Sequence, residues 1–424
     1  MSSYITVIGG VNNSATHVSG IVQVPASGLS GTSLASLQSI VDVVNAAVAN
    51  GQSSLVNFDA IAGKTATFAG SSSSGGIYEI TNTDSTGASA AGTANNISVT
   101  VPSSANEVVV QVPGTVSVAG NGYTSTYLIG SQSNAVISTN GSAAPSGNSG
   151  SNPNQIYDLG GNTTIYAGGD NQATLSGGLD RFKVLTGNDT VLATGSASVQ
   201  AGVPTGYAGT LDFINSSSAQ ATVLGGHGSV TAFGGNAGGL LYGGTGGNNS
   251  LIGGNGGVSL VGAGNNDYLL AGGGGATTAA LNNDLFAGPG NETLMASSVT
   301  QNNLFAAGSG TDIISSAGSG SQAFFAATGS ATMYGSTVSG ATNTYFFSSS
   351  LQGGGGNDVL ENFNSKTDNI VILSGVNIVS VTGANNGNYP TGAALVTLSD
   401  NTQITMVGYN ASNLQKFVGG SIIT

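Results

Sequence analysis

Between residues 155 and 362, large apolar residues return every nine positions. Val223, Ala232 and Leu241 are nine apart, as are Leu251, Leu260 and Leu269, and Tyr166, Leu175 and Val184. Shorter runs are Leu285/Leu294, Phe305/Ile314, Phe324/Met333 and Leu351/Leu360. Between them lie glycine-rich turns such as GGHGS, GGTGGNN, AGPGN and AGSGT. A unit this short holds one turn and one brief strand, with a single residue to bury. One copy cannot offset its own chain entropy, but stacked copies share a continuous apolar interior. Glycine is needed where the chain reverses within a few residues and visits positive φ. The repeat therefore predicts a mainly β protein built on a parallel β-roll or β-helix solenoid. The phase slips between runs, which predicts loops interrupting the stack.

The rest of the chain is read around that array. Residues 32–51, TSLASLQSIVDVVNAAVANG, place Leu34, Leu37, Ile40, Val41, Val44 and Val48 on one stripe at helical spacing, so the N-terminal segment 1–60 is expected to carry one amphipathic helix. ISVTV (97–101), EVVVQV (107–112) and TVSVAG (115–120) are β-branched runs between turn residues, and 61–138 is expected to be a β-rich domain. Residues 139–154 are nearly free of large apolar side chains and read as a linker or surface loop before the solenoid at 155–362. Residues 363–424 are expected to form a β cap.

The most specific stretch is GGGGNDVLENF, 353–363. Gly353, Gly354, Gly356, Asp358 and Leu360 match every defined position of G-G-x-G-x-D-x-U-x, with U a large apolar residue. This resembles the calcium-binding nonapeptide of the repeats-in-toxin (RTX) family. The continuation VLENFNSKTDNIVIL is similar to the segment that closes such arrays, and TQITMVGYNASNLQKFVGGSIIT is similar to the family's C-terminal region. The resemblance covers residues 155–424. It implies type I secretion guided by an uncleaved C-terminal signal, hence an extracellular or cell-surface location, and Ca²⁺ held between successive turns. The lack of cysteine and of a basic, apolar N-terminal leader agrees with that route.

Calcium needs six to eight oxygen ligands, so acids should recur two positions before each apolar residue. Of seventeen such positions, four are acidic: Asp267, Glu292, Asp312 and Asp358. Glu292 and Asp312 form the best pair, about two repeats apart, and Asp267 faces Asn249 at the same distance. With Gly354 and Gly356 these are the candidate metal residues, and a few ions at most are expected. Asp189, in LTGNDTVL, falls out of phase. Asn249, Asn283 and Asn303 stand where acids would be and are expected to form an amide ladder from turn to turn. Asp180, in LDRFKVL, is expected to pair locally with Arg181 and Lys183. Of the aromatic pairs Phe324-Phe325 and Phe346-Phe347, one member each is expected inside and one outside.

The chain's 18 acids against 5 bases, net charge −13, exclude a nucleic-acid partner, because phosphate neutralisation needs clustered Lys and Arg. No run approaches the roughly 18 apolar residues of a membrane helix, so no membrane insertion is expected. His17 and His227 are lone histidines, and no nucleophile, base and acid fall into a catalytic pattern. The expectation is a non-enzymatic structural protein that partners itself in a surface layer, fibre or biofilm matrix. The alternatives are an adhesin for cell-surface polysaccharide or ice, and, less favoured, a polysaccharide-active enzyme.

Overall fold

The computed structural model describes residues 4–8, 21–25, 54–59, 65–67, 76–81, 94–101, 105–111, 114–120, 126–129, 133–139, 153–158, 162–176, 179–201, 209–216, 218–272, 282–348, 355–373, 375–384, 389, 392–414 and 422–423. The chain divides into two compact units, Met1–Ser217 and Ser218–Thr424. Each contains a parallel β-solenoid. Successive strands alternate between two sheets, so nine residues carry the chain from one sheet to the other and two repeats complete a turn. The helix expected at 32–51 lies outside the described residues, as does most of 139–154. The one described helix is Ala411–Leu414.

In the first unit, one sheet stacks Ser54–Asp59, Gly76–Thr81, Ala105–Gln111, Thr126–Ile129, Asn154–Asp158, Asn171–Leu175, Asp189–Ala193 and Thr210–Asn215 in parallel. The other stacks Thr65–Thr67, Ala94–Thr100, Gly114–Ala119, Ser133–Ser138, Thr164–Ala167, Leu179–Val184 and Ser196–Gln200. The β-rich region at 61–138 is thus continuous with the solenoid. Ser133–Ser138 pairs directly with Thr164–Ala167, and parallel stacking begins a hundred residues before the repeat is visible. The physical reason is that a buried rung needs inward apolar residues rather than a fixed turn length. Val99, Val118, Ile137, Ile165, Phe182 and Val199 are in register and fully buried although their turns differ. Ile165, not Tyr166, occupies the inward position there, and Tyr166 faces out under Lys183 Nζ, 5.0 Å from the ring centroid. Asp180 is buried and Arg181 exposed on opposite faces of their strand, and Asp180 Oδ1 accepts from the Thr163 N–H at 3.0 Å. Near the N-terminus, Tyr4–Ile8 pairs antiparallel with Ile21–Pro25.

In the second unit, the first sheet runs Ser229–Phe233, Ser250–Ile252, Tyr268–Ala271, Thr293–Ala296, Thr311–Ser316, Ser330–Tyr334 and Asn357–Glu361. The second runs Ala221–Leu224, Gly239–Tyr242, Val258–Val261, Asn283–Phe286, Asn303–Ala306, Ser321–Phe325, Thr342–Phe347 and Asn369–Ile372. Leu251, Leu269, Leu294, Ile314, Met333 and Leu360 form one inward column, and Leu260, Leu285, Phe305, Phe324 and Tyr345 lie in the other, all at 0 % exposure. Each such side chain contributes about 1.5–3 kcal/mol of apolar transfer. Phe305, Phe324 and Tyr345 stack at centroid distances of 5.1 and 4.8 Å. Phe325 and Phe346 stack outside at 4.5 Å.

The C-terminal end is closed by strands that break the parallel rule. Asn357–Glu361 pairs with Gln403–Val407, which continues antiparallel to Ala393–Leu398 and then Ile378–Gly383. Ile422–Ile423 lies antiparallel on Asn369–Ile372.

Candidate functional site

The polar positions inside the second unit form two files, one beneath each sheet. In the first sheet, Asn249, Asp267, Glu292, Asp312, Ala331 and Asp358 occupy successive turns, each two residues before a core side chain, and all six are buried. Asp267 has both oxygens satisfied. Oδ1 accepts from the Asn249 N–H at 2.9 Å and from Asn249 Nδ2 at 2.7 Å; Oδ2 accepts from the Ala263 and Gly264 N–H groups at 2.9 and 3.0 Å. Asp312 accepts from the Glu292 N–H at 3.0 Å through Oδ1 and from the Gly308 N–H at 2.7 Å through Oδ2. Asp358 accepts from the Ala331 N–H at 2.9 Å through Oδ1, while Oδ2 is buried without a hydrogen bond. Oδ1 of each carboxylate takes an N–H of the neighbouring rung, and Oδ2 of Asp267 and Asp312 takes N–H groups of its own glycine turn. That is the interaction that makes a charged acceptor stronger than a neutral one.

Glu292 is the exception. No N–H or O–H donor reaches either of its carboxyl oxygens, and it lies between Asp312 and Asp267, with the Asp312 carboxyl at hydrogen-bonding range. Burial first, and then its two acidic neighbours, push its pKa well up. Burial likewise raises Asp358 to about 7.

The second sheet carries the expected amide ladder in extended form. Asn283 Nδ2 donates to Asn303 Oδ1 at 2.9 Å, Asn303 Nδ2 donates to Gln322 Oε1 at 2.7 Å, and Gln322 Nε2 ends on the Gln301 and Ser319 carbonyls. Asn249 is in the other file, bonded to Asp267 rather than to these amides. The same file continues through Asn343 and ends on Asp368, which accepts from the Asn343 N–H and Nδ2, both at 3.0 Å, and from the Asn364 N–H at 2.9 Å. Asp368 stands two before the core residue Ile370, the same phase as the other acids, so its role was readable from spacing. Tyr409 ties the cap to the last turn: its hydroxyl donates to the Phe363 carbonyl and accepts from the Ser365 N–H.

Removing one rung of the amide ladder has a defined consequence. Asn303→Leu removes the Oδ1 that accepts from Asn283 Nδ2 and one of the two donors to Gln322 Oε1, which keeps Ser316 Oγ at 2.7 Å, and a hydrogen bond lost from a buried group costs about 1–3 kcal/mol. A loss of about 1–3 kcal/mol is expected by chemical denaturation. A change below about 1 kcal/mol would show that the ladder adds nothing beyond packing.

In the first unit Asn154, Asn171 and Asp189 form a similar buried file. Asn154 Nδ2 donates to Asn171 Oδ1 at 3.0 Å, and Asn171 Nδ2 donates to Asp189 Oδ1 at 2.7 Å. Asp189 is therefore in phase with its neighbours, a correction to the sequence reading, which counted the phase from Leu175 rather than Ala173. Its pKa is raised by burial. Glu107 is buried too, and its pKa is pushed up to about 8. At the turn above Asn171, Gly187 adopts φ +99°, and a Cβ there would collide with the Gly169 carbonyl.

Oxygens already bonded to N–H groups do not fit a calcium shell, and among the described residues no three of His, Cys, Asp and Glu gather in a group able to hold a metal ion. Of the candidate ligands, Asp267 and Asp312 are committed to the backbone. Gly356 is packed so that a Cβ would strike the Gly329 carbonyl, and its own carbonyl accepts from the Gln403 N–H. Gly354 lies outside the described residues. Asp358, through Oδ2, and Glu292 keep oxygens without hydrogen bonds. His227 is exposed, with Nδ1 3.3 Å from Thr245 Oγ1. Among the described residues no helix is long and apolar enough to cross a membrane. No family model and no curated protein matches the chain.

Proposed function

We propose that this is an extracellular structural protein that assembles with copies of itself into a layer, fibre or matrix. The observation that carries this reading is the use made of the chain's chemical groups. Most of the buried acids and amides described in the solenoids bond an adjacent turn, as Asp267 does with Asn249 and Asn303 with Gln322. The fold is a repeating scaffold whose stability grows by neighbour contacts. The RTX resemblance supports secretion by the type I route. A second reading, a polysaccharide adhesin, is favoured by the aromatic residues on an outer sheet face.

Calcium enters the proposal at one place, the closing turn. Asp358 Oδ2 would supply a ligand there, and a bound cation would offset the burial of that carboxylate. The test is electron microscopy of purified protein at micromolar concentration, in calcium and in chelator. Ordered sheets or filaments are the expected result, and monomers in both conditions overturn the assembly reading. Assembly should be greater in calcium, and Asp358→Asn should abolish the difference. Equal assembly in both conditions removes calcium from the proposal and leaves the scaffold.

A further inference from the structure

The outer face of the second sheet in the Ser218–Thr424 unit carries a row of apolar side chains that the solenoid does not need. Strand by strand, in printed register, the row passes from Leu224 to Tyr242, Val261 and Phe286, then on to Phe325 and Phe346. Ala306 fills the step between Phe286 and Phe325, and Val371 continues the row past Phe346. These residues alternate with the buried column; Ala306 is itself buried, while Val261, Phe286, Phe325, Phe346 and Val371 are half-buried on the outer face. Leu224 is 37 % and Tyr242 40 % exposed. The outward face of a solenoid strand is where polar residues cost nothing, so an apolar residue at every step calls for something to cover it.

We infer that this face docks against the same face of a second copy of the chain, an inference that rests on the self-assembly proposed above. Two observations select a second copy. The first is charge. The chain carries −13, so like molecules repel, yet the two outward rows of this sheet hold one acid, Asp284, and no base. This is a face on which two copies meet without facing acids. The second is shape. Beside the projecting Leu224 and Tyr242, the same face has a depression of about 340 Å³ over Gly239 and Gly257, bordered by Leu240 and Ser259. A projection and a recess side by side on one face are self-complementary under a two-fold axis, the commonest symmetry of homo-oligomers. The strands are spaced identically in both copies, so the rows mesh in steps of about 4.8 Å, at a sheet separation of about 10 Å.

Size sets the strength. Eight strands at about 4.8 Å give a row about 34 Å long, and two outward residues per strand give a face about 14 Å wide. That is roughly 480 Å² per copy, below the ~800 Å² per partner of a stable dimer. The contact is therefore a weak lateral one that becomes effective when repeated through an array.

Sedimentation velocity across a concentration series tests this. The full chain should associate with rising concentration. Tyr242→Glu combined with Phe286→Glu should weaken association at least tenfold while the far-UV spectrum and melting stay native. Ile313→Glu, on the outer face of the first sheet, should leave it unchanged. Because the chain has no cysteine, Val261→Cys gives a second measurement: under mild oxidation it should form a disulfide-linked dimer, and Ile313→Cys should not. If the double variant associates as the parent does, this face is not the contact and the self-assembly reading survives. If the parent is monomeric throughout, both fall. If the parent is monomeric but co-sediments with an insoluble β-glucan, and the double variant does not, the occupant is a glycan and the second-copy inference is overturned.

Discussion

Stability is expected to fall as the pH rises from about 4.5 to 9. Glu107, Asp189, Glu292 and Asp358 are all buried, and burial raises the pKa of each, to about 8 for Glu107 and about 7 for Asp358. A raised folded-state pKa means the folded chain holds protons that the unfolded chain has released. The resulting stability is fully present below the unfolded pKa near 4 and is lost as pH rises through the folded values. Each retained proton gives a slope of about 1.4 kcal/mol per pH unit. The slope should become shallower above about pH 7, as Asp358 and then Glu107 ionise in the folded chain. Half of the shift at Asp358 alone is worth about 2 kcal/mol. With the others, a melting temperature lower by about 10 °C at pH 9 than at pH 5 is expected, at about 2–4 °C per kcal/mol for a unit of this size. Thermal melts across that range check it. Glu292→Gln should flatten the slope, since a neutral amide has no proton to lose. A melting temperature that rises through the same range would overturn the account.

The nine-residue spacing made the solenoid legible because the constraint is geometric: each half-turn admits one large inward residue, and sequence records its position directly. The ladder at Asn283 and Asn303 was legible for the same reason, since these amides share the phase of the acids. Other features left weaker traces. At Phe324-Phe325 the pattern predicted one residue inside and one outside, but Tyr166 was read as core when Ile165 fills that place, because two adjacent apolar residues give no sign of which faces in. The rungs before residue 139 are unevenly spaced along the chain, so no nine-residue period shows there although the inward column is continuous. The acids invited a metal reading because a carboxylate that bonds N–H groups of its own and the adjacent turn occupies the same sequence position as one that binds an ion. Asp267 and its four donors show the first use. Only the positions of the neighbouring N–H groups, absent from sequence, separate the two.

The second large effect is expected from the buried aromatic stack. Phe324→Ala removes the middle ring of Phe305, Phe324 and Tyr345, leaving a void between neighbours that were 5.1 and 4.8 Å away. A buried Phe→Ala change costs about 3–5 kcal/mol, since strands fixed by ladder hydrogen bonds on both sides cannot collapse into the space. The unit should melt about 10 °C lower. Phe325→Ala, one residue on, is the control. That ring lies outside on Phe346 at 4.5 Å, and losing it should cost about 1 kcal/mol. The contrast separates inward from outward position at constant chemistry. Because each turn is stabilised mainly by its two neighbours, the inward change should also broaden the transition, as the turns on either side of the void become free to melt separately. Equal losses from the two substitutions would mean that the stack, not the interior, carries the energy. A sharp, merely shifted transition for Phe324→Ala would mean that coupling along the solenoid extends well past the adjacent turn.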